Sequence, residues 1–245
     1  MAAPIRLILA SASPARRQLL TEAGYDFEVR PAGIDEPSGA GFADARAYVE
    51  HVAWQKAHAV ASALVSSGQT SSRSPQRRNR PTSSPLSYPG GRGQGEGGHS
   101  KTEGPASHSV ASSELGACII ISADTVGWID GRPVGKPADE ADARRILERL
   151  AGTEHELWTG VCLWRRPDDL QITFQEQSKV AMRALSPTEI DAYLKTRQWQ
   201  GCSGAYAIEL GDDPYVRVVS GSKTNVIGLP MERLQRVLAE LKVER

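Results

Sequence analysis

The sequence predicts an α/β fold on a mixed β-sheet, from three observations. Short apolar, β-branched runs alternate along the chain with amphipathic segments that carry helix caps. No segment repeats at a fixed period. The 245 residues, 40% of them hydrophobic, suffice for one sizeable core.

Taken in order, Ile5 to Leu9 reads as a buried strand. Ser13-Pro14 opens a helix, with Ser13 as N-cap and Pro14 at the first helical position, and Gly24 stops it. Phe27 to Arg30 is a short strand. A long helix runs from near Ala43 to Leu64, and Cys118 to Ser122 has the composition of a central strand. Asp139 to Leu150 is helical and ends at Gly152. Strands follow near Glu156 to Trp164 and Lys179 to Leu185. Ser186-Pro187-Thr188-Glu189 is a capping box that opens another helix. Tyr215 to Val219 is a strand, Ser220 to Leu229 reads as turns, and Pro230 opens a C-terminal amphipathic helix.

One stretch, from about 66 to 114, stands apart. It consists largely of Ser, Gly, Pro, Arg and Gln, with Tyr88 its only aromatic. Such a segment cannot offset its ordering entropy by burial, so we read it as a disordered insertion in a single domain spanning 1–245. A passive solvated loop is favoured over a binding tail, although Arg73, Arg77, Arg78 and Arg80 offer charge to an acidic partner.

The 29 basic and 29 acidic residues cancel, so no nucleic-acid partner is expected and any phosphate site must be local. Cys118, Cys162 and Cys202 show neither a disulfide framework nor metal-ligand spacing, which fits reduced thiols in a cytoplasmic protein. No apolar run approaches the ~18 residues that span a bilayer, so no membrane association is expected. Ile5 to Ala12 has a faint likeness to a secretion signal, but it is short and Arg6 interrupts it.

Four constellations carry chemistry. Ser11-Ala12-Ser13-Pro14-Ala15-Arg16-Arg17 lies on a strand-to-helix turn, where free N–H groups and the positive dipole end suit phosphate. Two arginines there oppose the dipole; a bound anion resolves the conflict, and plain surface arginines are the alternative. Lys56 falls within the apolar stripe Val49, Val52, Ala53, Ala57, Val60, so it must either snorkel or meet an anion. Asp124 stands just past the apolar run Ile119 to Ile121, a place for a metal ligand or a proton acceptor, with Lys136 nearby to clamp a phosphate oxygen. Gly201 to Glu209 is a loop of small residues that lets backbone approach a ligand.

In this order the pieces resemble the Maf family of nucleotide pyrophosphatases, named for a link to septum formation. The match rests on the Ser-x-Ser-Pro…Arg-Arg turn, Ile34-Asp35-Glu36, Lys56-Ala57 and Ser122-Ala123-Asp124-Thr125. It continues through Gly135-Lys136-Pro137, Leu150-Ala151-Gly152…His155…Thr159-Gly160-Val161, Gly204-Ala205-Tyr206-Ala207-Ile208 and Asn225-Val226-Ile227-Gly228-Leu229-Pro230. The resemblance implies two lobes around a cleft in a twisted mixed sheet, often in a homodimer. It implies hydrolysis of a nucleoside triphosphate between the α- and β-phosphates, with Mg²⁺ or Mn²⁺. By position it makes Asp124 the base that activates water and, with Glu36, a metal ligand. Arg16, Lys56 and Lys136 would bind the triphosphate, and Ser11 would add a hydroxyl contact.

The specificity positions are mixed. Ala15 replaces the Arg of the thymidine- and uridine-triphosphate branch and the Trp of the 7-methylguanosine-triphosphate branch. Thr125 matches the pyrimidine branch, and Glu209 the methylguanosine branch. The preferred base therefore stays open. A pyrophosphatase for deaminated purine triphosphates would carry a Ser-Gly-Asn-x-x-Lys turn, which is absent. A non-catalytic nucleotide-binding regulator of cell division is the alternative from another class.

Overall fold

The computed structural model describes residues 5–37, 41–70, 117–208 and 213–244. Seven strands form one mixed sheet: β1 (Arg6–Leu9), β2 (Phe27–Val29), β3 (Cys118–Ile129), β4 (Arg132–Val134), β5 (Glu154–Arg166), β6 (Gln171–Met182) and β7 (Val216–Ser220). Their order is β2-β1-β3-β5-β6-β7, with β4 also paired to β3. Pairing is parallel between β1 and both β2 and β3, and antiparallel elsewhere. Among the described residues six α-helices flank it: α1 (Pro14–Glu22), α2 (Ala45–Thr70), α3 (Glu140–Leu150), α4 (Pro187–Thr196), α5 (Lys223–Ile227) and α6 (Met231–Glu240). The expected mixed α/β architecture is therefore present. The faintly signal-like Ile5–Ala12 stretch supplies β1, whose Ile8 and Leu9 are fully buried.

Strand alternation decides which helix each residue meets. Ile8, Ala10, Ile120 and Cys162 face α2, where Ala53, Ala57, Val60 and Leu64 cover them. Leu7, Leu9, Ile119, Ile121 and Leu163 face the other way, onto Leu19 and Leu20 of α1 and Leu234 and Leu238 of α6. A second lobe packs Leu147 and Leu150 of α3 and Ile190 and Leu194 of α4 against Leu157, Val180 and Met182. Among the described residues no helix is long and apolar enough to cross a membrane.

The helix ends follow the local chemistry expected of them. Ser13 caps α1, with Pro14 at its first turn. Ser186 and Glu189 form the reciprocal capping box of α4.

Several boundaries differ from the sequence reading. α2 continues to Thr70, so residues 66–70 of the supposed insertion are helical, and residues 71–116 lie outside the described residues. Short α5 forms where only turns were expected, capped by Ser222 and stopped by Gly228 at positive φ. β3 is twelve residues long. Asp124 thus lies inside the strand, not just past its end. β5 holds β3 in register from Cys118 to Trp128, which keeps the chain extended well beyond the apolar run.

The opposite edge of β3 is where the cleft arises. β1 pairs with it only as far as Ile121, where Ala10 N–H donates to the Ile121 carbonyl at 2.8 Å. β4 takes up pairing again at Gly127. Between these two partners, among the described residues, no strand lies beside the edge from Ser122 to Val126, and the two lobes part there.

Candidate functional site

Asp124 sits in this gap, with its side chain only 8% exposed. Being two residues beyond Ser122, it projects onto the α2 face. The Ser122 hydroxyl donates to the Ala53 carbonyl of α2 at 2.6 Å, and Lys56 lies one helical turn further along. The Lys56 ammonium reaches Asp124 Oδ1 at 2.7 Å and Glu36 Oε1 at 2.8 Å. Of the two outcomes open to a lysine in that apolar stripe, it meets an anion and stays 11% exposed.

Glu36 arrives on the segment after β2. Lys136 binds its other oxygen, Oε2, at 2.6 Å. The Tyr48 hydroxyl of α2 donates to the carbonyl of neighbouring Pro37 at 3.3 Å and so tethers this segment to the helix. Burial and the Asp124 and Glu36 carboxylates push the Tyr48 hydroxyl up to about 12. Lys136 is positioned by the loop opposite. Gly204 N–H donates to the Gly135 carbonyl at 3.1 Å, and the Ser203 hydroxyl donates to that of Val134.

Burial alone would raise the Glu36 pKa, but hydrogen bonds from Lys136 and Lys56 outweigh it and hold the group at about 2. A carboxyl depressed in the fold stabilises it fully above its unfolded value and stops doing so as pH falls through the folded one. Glu36→Gln is therefore expected to melt below wild type at pH 6, and the gap should close between pH 4.5 and 2. The gap stays small because Glu36 is 28% exposed and partly screened. Thermal melts at pH 6 and pH 3 check this; an equal gap at both would assign the loss to shape and not to charge.

Arg16 and Arg17 part company. Arg17 is exposed on the outer surface of α1, whereas Arg16 turns inward. Its Nε donates to the Gly228 carbonyl at 2.8 Å, one terminal nitrogen to Ser11 Oγ and the other to Thr125 Oγ1, both at 3.1 Å. Burial lowers its pKa, opposed by Asp124 and Glu36. Thr125 Oγ1 also meets Thr159 Oγ1 at 2.9 Å, and the Thr159 hydroxyl reaches the Asn225 carbonyl at 3.0 Å. Gly228 suits this place because its φ is positive and because a Cβ would crowd Thr125 Oγ1 at 3.2 Å and Arg16 Nε at 3.4 Å.

A cleft of about 760 Å³ joins these parts. Ser11, Ala15, Arg16, Glu36, Lys56, Asp124, Thr125 and Lys136 all line it, so eight of the nine residues singled out from sequence meet in one place. The ninth, Glu209, lies outside the described residues; Ala207 and Ile208 before it line the cleft. Tyr48 was not singled out at all. Thr159, Asn225 and Gly228 were legible only as motif members, since their partners are distant in sequence.

The donor set suits a hard divalent cation held mainly by a ligand's phosphates. Among the described residues no group of three or more His, Cys, Asp or Glu can hold a metal. Glu36 and Asp124, bridged by Lys56, provide two carboxylates, and Mg²⁺ is commonly held by one or two carboxylates plus substrate phosphates.

A buried carboxylate at a strand-edge gap, three cationic side chains and a capped helix N-terminus share one cleft of an α/β protein, an arrangement suited to binding a polyphosphate. Comparison with known proteins agrees. Residues 6–241 match the family model described as Maf-like protein. The chain is 34% identical over 236 residues to a dTTP/UTP pyrophosphatase of Anaeromyxobacter sp. (strain Fw109-5), covering 95% of this chain and 88% of that one. It is 30% identical over 232 residues to the dTTP/UTP pyrophosphatase of Pelotomaculum thermopropionicum, covering 95% and 94%. A third relative of that description, from Rhodopirellula baltica, is 30% identical over 236 residues, covering 96% and 82%. The chain belongs to the Maf family and is accordingly a hydrolase of nucleoside triphosphates.

Proposed function

We propose that the protein cuts nucleoside triphosphates between the α- and β-phosphates, releasing a monophosphate and pyrophosphate, with Asp124 as the base that activates water. The observation that carries this reading is the Asp124–Lys56 pair, set in the gap between β1 and β4 on the floor of the cleft. Lys56 holds Oδ1. Among the described residues no donor binds Oδ2, which leaves that oxygen to take a proton. Lys56, Lys136 and Arg16 supply positive charge where the reacting phosphates gather negative charge, and preorganised charge of this kind is a large part of catalysis. At the start of α1 Pro14 lacks an N–H and Ser13 caps that of Arg16, so the Ala15 N–H and the Ser11 hydroxyl are what offer further phosphate contacts. Mg²⁺ or Mn²⁺ would be held by Asp124, Glu36 and the triphosphate, and it neutralises phosphate charge when bound. Pyrophosphate release by the purified protein over a panel of triphosphates tests the reading. A protein that binds nucleotide and releases none would be a regulator, not an enzyme. The homodimer and the cytoplasmic location belong to the same proposal; light scattering checks the first.

The relatives' description points to thymidine and uridine triphosphates, and Thr125 agrees with it. Ala15 does not, since it supplies neither the hydrogen bonds of an Arg nor the indole face of a Trp. The Thr125 hydroxyl is already engaged by Arg16 and Thr159 and has little left to read a base. Leu157, Tyr206, Ile208 and Ile227 give the cleft an apolar wall that accepts any base. We therefore expect turnover of several triphosphates, with kcat/KM values within about a hundredfold, ~2.7 kcal/mol of discrimination. Ala15→Trp should raise kcat/KM for 7-methylguanosine triphosphate relative to uridine triphosphate, because a cationic base gains roughly 0.5–2 kcal/mol over an indole. A thousandfold preference in the wild type would overturn the open-pocket reading.

A further inference from the structure

Glu36 and Asp124, the carboxylates assigned to the metal above, are already bridged by a cation of the protein's own. Lys56 Nζ lies 2.7 Å from Asp124 Oδ1 and 2.8 Å from Glu36 Oε1, so the two oxygens are no further apart than these distances together allow. A divalent ion bound by both would need oxygens at ~2.0–2.6 Å, within the same gap. An ammonium and a divalent cation cannot share that space, because like charges so close repel strongly in a buried site. Both Glu36 oxygens already meet an ammonium, Oε2 that of Lys136 at 2.6 Å, so a metal there would compete with two cations. Two carboxylates face two ammonium groups, and the Arg16 guanidinium adds a third positive charge close enough to act on both.

Lys56 cannot withdraw far. Its stem rises from the buried stripe of Ala53, Ala57 and Val60, and the side chain as a whole is 11% exposed. Any movement has to find another anion, because a desolvated ammonium without a partner is costly. In the reading above, the other anion to enter this cleft is a polyphosphate, which Ser11 and Arg16 on the same cleft wall would meet.

We propose that Lys56 holds the place of the divalent cation between Glu36 and Asp124, so that the carboxylates take up metal only when an incoming polyphosphate draws the ammonium away. The inference rests on the metal-dependent reading above. It makes metal and triphosphate arrive together, and it gives Lys56 two successive partners in place of a fixed phosphate contact. Metal ions alone would then bind the free protein poorly.

Calorimetric titration of Mn²⁺ into nucleotide-free protein, with free Mn²⁺ followed by its EPR signal, tests this without any turnover. Wild type is expected to bind weakly. Lys56→Met and Lys56→Gln leave both carboxylates to the metal and should bind at least about tenfold more tightly, within the range by which supporting residues tune metal sites. Lys56→Arg keeps the cation and should bind as weakly as wild type. Lys136→Met, which frees only the half-exposed partner of Glu36, should change affinity less than Lys56→Met does. Tight Mn²⁺ binding by nucleotide-free wild type would overturn the proposal whether or not the variants fold. So would a folded Lys56→Met or Lys56→Gln that binds no more tightly than wild type. Pyrophosphate release by the wild type is scored separately: loss of that activity would sink the functional reading, and the Mn²⁺ result alone decides the role of Lys56.

Discussion

Asp124→Asn is expected to give a folded protein whose kcat has fallen by ~10²–10⁴, the usual loss when a general base is removed. The fold should survive for an electrostatic reason. Breaking a buried ion pair commonly costs ~3–5 kcal/mol because one charge is left uncompensated. Here Lys56 keeps Glu36 at 2.8 Å, and an asparagine oxygen can still accept the Lys56 hydrogen bond. Asparagine matches aspartate in shape, so the contacts of β3 with α2 are undisturbed. What it lacks is the negative charge that takes a proton from water. The expected pattern is therefore a melting temperature near that of wild type with turnover nearly gone. Steady-state pyrophosphate release and a thermal melt on the same preparation check it. A variant that keeps more than about a third of wild-type kcat would show that another group takes the proton.

The site was more legible in the sequence than the frame that holds it. Lys56 was legible because a charge inside an apolar helical stripe conflicts with its surroundings, and the structure shows the conflict met by two carboxylates. Arg16 and Arg17 were legible as a pair, but not which of them turns inward; that is decided by Gly228, Ser11 and Thr125, one of them over two hundred residues away. The length of β3 was hidden because its last eight residues, Ser122 to Ile129, mix polar and apolar side chains. Its extension is imposed by pairing with β5, a non-local cause. α5 was hidden for a similar reason: a five-residue helix has almost no periodicity, and Ser222 and Gly228 read equally well as turn residues. Tyr48 gave no signal, since an aromatic on a helix face is ordinary core and its hydroxyl contact joins a segment only the fold brings near.

Gly160→Ala is expected to damage stability and activity together, and more than a single methyl ordinarily does. Gly160 pairs with Asp124 across β3 and β5, and it lies directly under α2. A Cβ there would stand 2.8 Å from the Glu50 nitrogen and closer still to the Val49 carbonyl. Both are helix backbone and cannot swing aside as a side chain would. The helix must therefore lift or slide as a body. Overpacking of this kind costs ~1–3 kcal/mol and occasionally more. For a domain of this size each 1 kcal/mol lowers Tm by roughly 2–4 °C. The movement also reaches the site. Lys56 is seven residues beyond Val49, two turns along the same face and ~10 Å away, so a shift of the seat at Gly160 displaces the ammonium from Asp124 and Glu36. Misplacement of a positioning group by about 1 Å can cost ~10²-fold in rate. Gly135→Ala is the control for stability, because a Cβ at Gly135 meets nothing within 4 Å. It should melt as wild type does, while Gly160→Ala melts several degrees lower and loses kcat beyond what its unfolded fraction explains. A Gly160→Ala protein that melts within a degree of wild type at full kcat would mean that α2 is not seated by this contact, and that the position of Lys56 is set elsewhere on the helix.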